Sequence, residues 1–142
     1  MKWTPGLVVL TILACGGDEI PSAPRVPDVA GVWTANWSNL NTNGLSCLAS
    51  GVHLTLTQYG TRFSGTYNSG TLACNDSVMG TPNGMVVNGL LNGNGVTFQL
   101  DTPNLQQGGE LSGSSMNGTA VWLVAGTNGQ PVTLVGTWMA TR

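Results

Sequence analysis

Three cysteines, one histidine and six acidic side chains are the groups in this 142-residue chain able to do covalent, acid–base or metal chemistry. Their spacing argues against most of it. No Cys-x-x-Cys occurs, and a single histidine cannot complete a zinc site, so a structural metal or a dithiol redox centre lacks ligands. His53 is the candidate general base, and Asp76, Asp101 and Glu110 could supply carboxylates for acid and base work. His53 lies on the polar side of an alternating run, where an imidazole ordinarily meets solvent or a hydrogen-bond partner. Asp76 follows Cys74 closely, and Asp101 precedes Thr102 and Pro103 at the end of an apolar run; both are ordinary turn placements. The expectation is a protein that is not an enzyme and that carries no metal and no cofactor.

Cys15 stands apart from the other two cysteines because of what precedes it. Lys2 is followed by an apolar run from Leu7 to Ala14, too short to span a bilayer and flanked as a secretory leader is. Ile12, Leu13, Ala14 and Cys15 resemble the bacterial lipobox, in which a small residue precedes the cysteine that receives a diacylglyceryl thioether. The resemblance implies cleavage after Ala14, acylation at Cys15 and anchoring by more than one acyl chain, each buried methylene contributing about 0.8 kcal/mol. An ordinary signal peptide that happens to contain a cysteine is the alternative. Gly16, Gly17, Pro21, Pro24 and Pro27 then give the composition of an extended, solvated tether. Gly16 following the cysteine implies, by the best-studied lipoprotein sorting rule, an outer-membrane destination in the bacterial cell envelope. The domain plan is therefore a signal peptide over residues 1–14, a lipidated tether over 15–27 and a folded domain over 28–142.

Assigning Cys15 to lipid leaves Cys47 and Cys74 as an even pair in an oxidising compartment. They are expected to form a disulfide, worth roughly 3 kcal/mol in the chain-entropy model; two separate buried thiols are the alternative. Beyond the tether the charged side chains are Asp28, Asp76, Asp101, Glu110, Arg62 and Arg142, with no lysine. Nucleic acid is excluded as a partner, because a phosphate backbone needs a basic face that two arginines cannot make.

The apolar pattern of the domain has period two. Leu54 and Leu56 alternate with His53, Thr55 and Thr57; Phe63, Gly65 and Tyr67 alternate with Arg62, Ser64 and Thr66. Val96, Phe98 and Leu100, and then Val132, Leu134, Gly136 and Trp138, repeat the pattern. Asn-Gly pairs at Asn83, Asn92, Asn94, Asn117 and Asn128 separate runs of strand length. Strands are expected at about 31–37, 52–59, 62–68, 71–80, 85–91, 95–100, 109–116, 118–124 and 132–141. The segment 38–50 reads as one long loop, a common place for function. This is an all-β chain, suited to a small antiparallel up-and-down barrel of about eight strands or to a sandwich.

The two ends of the domain bear on that choice. Gly31-Val32-Trp33 opens the first strand and Arg142 closes the last, an arrangement that resembles the calycin signature of lipocalins and avidins. The resemblance implies a barrel in which Trp33 packs across the floor and Arg142 lies over the indole, a contact worth about 0.5–2 kcal/mol. Residues 63–67, Phe-Ser-Gly-Thr-Tyr, are similar to the Gly-Thr-Tyr segments of the avidin branch. An eight-stranded barrel is wide enough to be filled by side chains or to hold one small ligand, and in-strand glycines at Gly65, Gly89, Gly113 and Gly136 either relieve bending or open space beside a ligand.

Two functions follow as expectations. The first is a lipid-anchored barrel that binds a small, mainly apolar molecule lined by Phe63, Tyr67, Phe98 and Trp122. The second is a structural or protein-interaction lipoprotein whose barrel is filled and which works through its surface or loops, those four aromatic residues being simply core.

Overall fold

In a computed structural model, residues 23–101, 104–126 and 128–142 are described; Cys15, the leader and most of the tether lie outside them. The described chain forms ten strands: β1 (Gly31–Thr42), β2 (Leu45–Tyr59), β3 (Arg62–Asn68), β4 (Thr71–Cys74), β5 (Ser77–Gly80), β6 (Gly84–Asn92), β7 (Gly95–Leu100), β8 (Leu105–Ser112), β9 (Ser115–Ala125) and β10 (Pro131–Thr141). All pairings are antiparallel, in the order β1-β10-β9-β8-β7-β6-β3-β2, and a further β1–β2 pairing closes the sheet on itself. β3 pairs with the later part of β2 and β4 with its earlier part, while β6 and β5 pair with β3 and β4 in turn. Ten strands thus make an eight-stranded up-and-down barrel, consistent with a calycin-like fold.

Alternation supplies the core. Trp33, Ala35 and Trp37 from β1, Leu54 and Leu56 from β2, Phe98 and Leu100 from β7, and Leu134, Trp138 and Ala140 from β10 all point inward and are buried. Their outward neighbours include many Thr, Ser and Asn, interspersed with exposed Val32, Val135 and Met139, so the inner face of these strands is apolar and the outer one mixed.

Three strand assignments from sequence need correction, and each has a physical reason. Segment 38–50 is not a loop; it is the far end of the β1–β2 hairpin, turning at Asn43 and Gly44 with Gly44 at φ 82°. Its pattern was hidden by bulges. The buried positions run Trp33, Ala35, Trp37 and then Leu40, and Cys47, Ala49 and then Val52, slipping by one residue at Asn39 (φ 55°) and at Gly51 (φ 67°). Residues 71–80 are a tight hairpin instead of one strand, because Asn75 and Asp76 both take positive φ (47° and 61°), the requirement of a type I′ turn. The turn placed at Asn117 and Gly118 falls instead at Gly113 and Ser114, with Gly113 at φ 58°, so Gly113 is a turn residue. Gly118 sits mid-strand opposite Gly109 because the two backbones touch there: a Cβ on Gly118 would lie 2.4 Å from the Gly109 Cα and 2.0 Å from the Gly108 oxygen.

The up-and-down order sends alternate hairpins to opposite ends. The β2–β3, β6–β7 and β8–β9 turns, the start of β1 and the end of β10 form one end, here the floor. The β1–β2 and β4–β5 turns, the ends of β7 and β9 and the starts of β8 and β10 form the other, the mouth.

Candidate functional site

The floor is closed by the chain that leads into β1. Val29 is fully buried, and its carbonyl accepts from the Trp33 indole N–H at 2.8 Å. Gln58 holds this segment down: its amide donates to the Pro27 carbonyl (2.9 Å) and accepts from the Val29 N–H (2.7 Å). The Arg142 guanidinium lies 4.6 Å from the Trp33 ring centroid and donates to the carbonyls of Ala30 (2.7 Å) and Asp28 (3.0 Å). Arg142 therefore spans the last strand, the segment before the first and the buried indole, which makes it a clasp on the barrel seam.

The interior is packed. Phe63 and Phe98 meet edge to face at 5.8 Å between centroids, and Phe98 and Trp138 do so at 5.1 Å, the geometry favoured by ring quadrupoles. Tyr67 is buried to 1% exposure. Gln107 is the buried polar residue among these side chains; with its amide oriented by its surroundings, it accepts from the Trp37 indole N–H (3.2 Å) and donates to the Phe98 carbonyl (3.1 Å). The Trp138 indole N–H donates to the Gly108 carbonyl at 3.2 Å. Among the described residues no buried side-chain nitrogen or oxygen lacks a partner, so the interior holds no spare polar group to orient a polar guest. The in-strand glycines do not open space: a Cβ on Gly65, Gly89 or Gly136 would meet the backbone oxygens of Thr55, Phe63 or Ser38 at 1.9, 2.2 and 2.5 Å.

The mouth carries two different surfaces. Between Trp37, Leu40, Ala49, Val52, Leu72, Pro82, Leu100, Leu105 and Trp122 lies an apolar slot of about 20 Å³, room for roughly one water. Trp122 borders it, whereas Phe63, Tyr67 and Phe98 do not. Over the hairpin tips runs a wider groove of about 630 Å³, lined by Asn41, Thr42, Gly44, Leu45, Ser46, Leu48, Ala73, Asn75 and Asp76. Asn75 knits these tips together. Its side chain donates to the Gly44 carbonyl (3.1 Å) and accepts from the Ser46 N–H (2.9 Å), and its own N–H donates to the Ser46 carbonyl (2.8 Å). The Cys47–Cys74 disulfide joins directly opposed residues of β2 and β4 just behind, with S–S 2.06 Å.

The remaining titratable residues are dispersed. His53 is on the outer wall between Thr34 and Asn68. Asp101 accepts from the Met85 N–H at 2.8 Å, Asp76 sits in the β4–β5 turn, and Glu110 lines a cleft at the floor with Asp28 and Arg142. Among the described residues no group of His, Cys, Asp and Glu is placed to hold a metal. Sequence reasoning missed Gln107 and Asn75. Gln107 could have been found as a polar residue in phase with Leu105 and Leu111, and Asn75 as half of an Asn-Asp turn beside a paired cysteine. No family model and no curated protein matches the chain.

Proposed function

We propose that this protein is a non-catalytic, lipid-anchored component of the bacterial envelope that engages a protein partner through the hairpin tips at the mouth, its barrel serving as a filled scaffold. The observation that carries this reading is the contrast between a packed interior and a rigid outer groove. Phe63, Phe98 and Trp138 occupy the space a ligand would need, while drug-sized ligands use cavities of about 300–1,000 Å³. The tips are pre-ordered by Asn75 and the disulfide, which lowers the entropy lost on binding. Around them stand exposed Leu48, Val78 and Met79. β5, which bears the last two, is the terminal strand of the sheet order, and a sheet edge invites pairing by an extended partner. The anchor at Cys15 is supported by the leader and the Pro/Gly tether.

A photocrosslinking side chain at Asn43 in cells tests the reading, with a second at Gly113 on the floor as the control. The proposal expects a discrete adduct from Asn43 that disappears when the β1–β2 tip is shortened; no adduct from Asn43, or the same adduct from Gly113, would refute it. The apolar slot favours a second reading, a small apolar ligand at the mouth, since Trp37 and Trp122 both border it. Saturable change of tryptophan fluorescence with lipophiles, lost in Leu105→Trp, would support that reading instead.

A further inference from the structure

The distribution of the few charges is uneven along the barrel axis. Arg62 begins β3 at the floor, Arg142 ends β10 there, and Arg25 lines a floor cleft of about 200 Å³ with Pro24, Val26, Pro27, Thr61, Leu91 and Gly93. Every arginine of the chain is therefore at one end, accompanied by Asp28 and Glu110, with Asp18 and Glu19 on the tether that leads to it. Among the described residues the mouth has Asp76 and Asp101 and no Lys or Arg. Tyr59, the last residue of β2 and paired with Arg62, is 76% exposed; the other described Phe, Tyr and Trp side chains are all buried. The chain preceding Pro27 also departs from this end, held there by Gln58. Arginine, an exposed tyrosine and the point of attachment coincide.

We infer that the floor is a lipid-facing surface: Arg25, Arg62 and Tyr59 rest on anionic phospholipid headgroups, so that the barrel stands on the membrane with its mouth pointing away. This rests on the anchor at Cys15 proposed above. The chemistry matches on each count. Arginine pairs with headgroup phosphate through its planar fork, and tyrosine places an apolar ring and a polar tip at the headgroup level. Arg142 adds its charge to the same end while its guanidinium stays on the Ala30 and Asp28 carbonyls. Each end carries two carboxylates among the described residues, so it is the arginines of the floor that give the orientation its sign. The arrangement also leaves the rigid groove at the hairpin tips where a partner can reach it.

The test is hydrogen exchange read by mass spectrometry on the chain as matured by the cell, in phosphatidylglycerol-containing vesicles and in detergent. Exchange at the floor hairpins, residues 59–62 and 92–95, should slow several-fold on vesicles, while the mouth hairpins at 42–45 and 74–77 stay unchanged. Each arginine at an anionic surface contributes about fivefold to the docking equilibrium constant, so Arg25→Gln with Arg62→Gln should lower that constant by about twenty-five-fold and restore the detergent rate. Neither substitution touches the core. Equal exchange at both ends, slowing at the mouth, or a double variant that behaves as wild type would overturn the inference. Intact mass reports acylation separately. A chain without the diacylglyceryl group refutes the anchor alone, and that chain added to the same vesicles must still slow at 59–62 for the lipid face to stand.

Discussion

Replacing Arg142 probes the closure of the barrel at one residue. Its guanidinium makes two hydrogen bonds to backbone carbonyls, at 2.7 and 3.0 Å, and one contact with the Trp33 ring at 4.6 Å. The side chain is exposed, so water replaces part of what is lost and the lower ends of the usual ranges apply. Each hydrogen bond is worth about 0.5–1 kcal/mol net and the exposed cation–π contact about 0.5–1 kcal/mol. Arg142→Ala should therefore destabilise the fold by about 2 kcal/mol. For a domain of this size that is a fall of about 8 °C in Tm. Arg142→Lys keeps a positive charge over the indole but cannot fork across both carbonyls, and should lose about half as much. Urea unfolding followed by far-ultraviolet circular dichroism gives both numbers, with an unchanged m-value expected because the surface exposed on unfolding is the same. An Arg142→Ala variant within 0.5 kcal/mol of wild type, or a lysine variant as weak as the alanine one, would show that this side chain does not clasp the seam.

Other perturbations have equally definite outcomes. Cys47 and Cys74 are 27 residues apart, so the Cys47→Ala/Cys74→Ala variant should lose about 3.5 kcal/mol in the chain-entropy model, and thiol titration of the untreated, unfolded chain should find neither residue free. Gly109→Ala should destabilise by more than about 3 kcal/mol, as its Cβ would lie 2.1 Å from the Asn117 oxygen; its neighbour Gly108, whose nearest contact would be the Thr97 methyl at 3.9 Å, should accept alanine with little change in thermal melting. Gln107→Leu leaves the Trp37 indole N–H without its acceptor and should lose about 1–3 kcal/mol in urea unfolding.

Much of the barrel was legible because its strands keep one phase. β3, β7 and β10 show unbroken alternation from Phe63, from Val96 and from Val132, and their boundaries fall within a residue of expectation. Where the phase slips the signal fails, since a bulge moves every later side chain to the opposite face. Leu40 after Trp37 and Val52 after Ala49 are such slips, and with them the β1–β2 tip read as a loop even though Asn43-Gly44 marks its turn. Asn117-Gly118 misled in the opposite sense: its glycine answers a close approach of β8 and β9 that no local pattern reveals. The candidate site was less legible. Phe63, Tyr67, Phe98 and Trp122 are buried on inward faces, but whether inward aromatic side chains line a void or fill one depends on how rings from β3, β7 and β10 meet across the barrel. The mouth groove depends on Asn75 reaching back to Gly44 and Ser46, a contact between hairpins that are distant in sequence.

The filled interior is the claim on which the functional reading turns, and nuclear Overhauser contacts among the core rings test it most directly. Ring protons of Phe63 and Phe98, and of Phe98 and Trp138, should show cross-peaks set by centroid separations of 5.8 and 5.1 Å, unchanged when apolar ligands are added in excess. Missing cross-peaks, or cross-peaks lost as a lipophile saturates, would mean that the barrel opens to hold a guest.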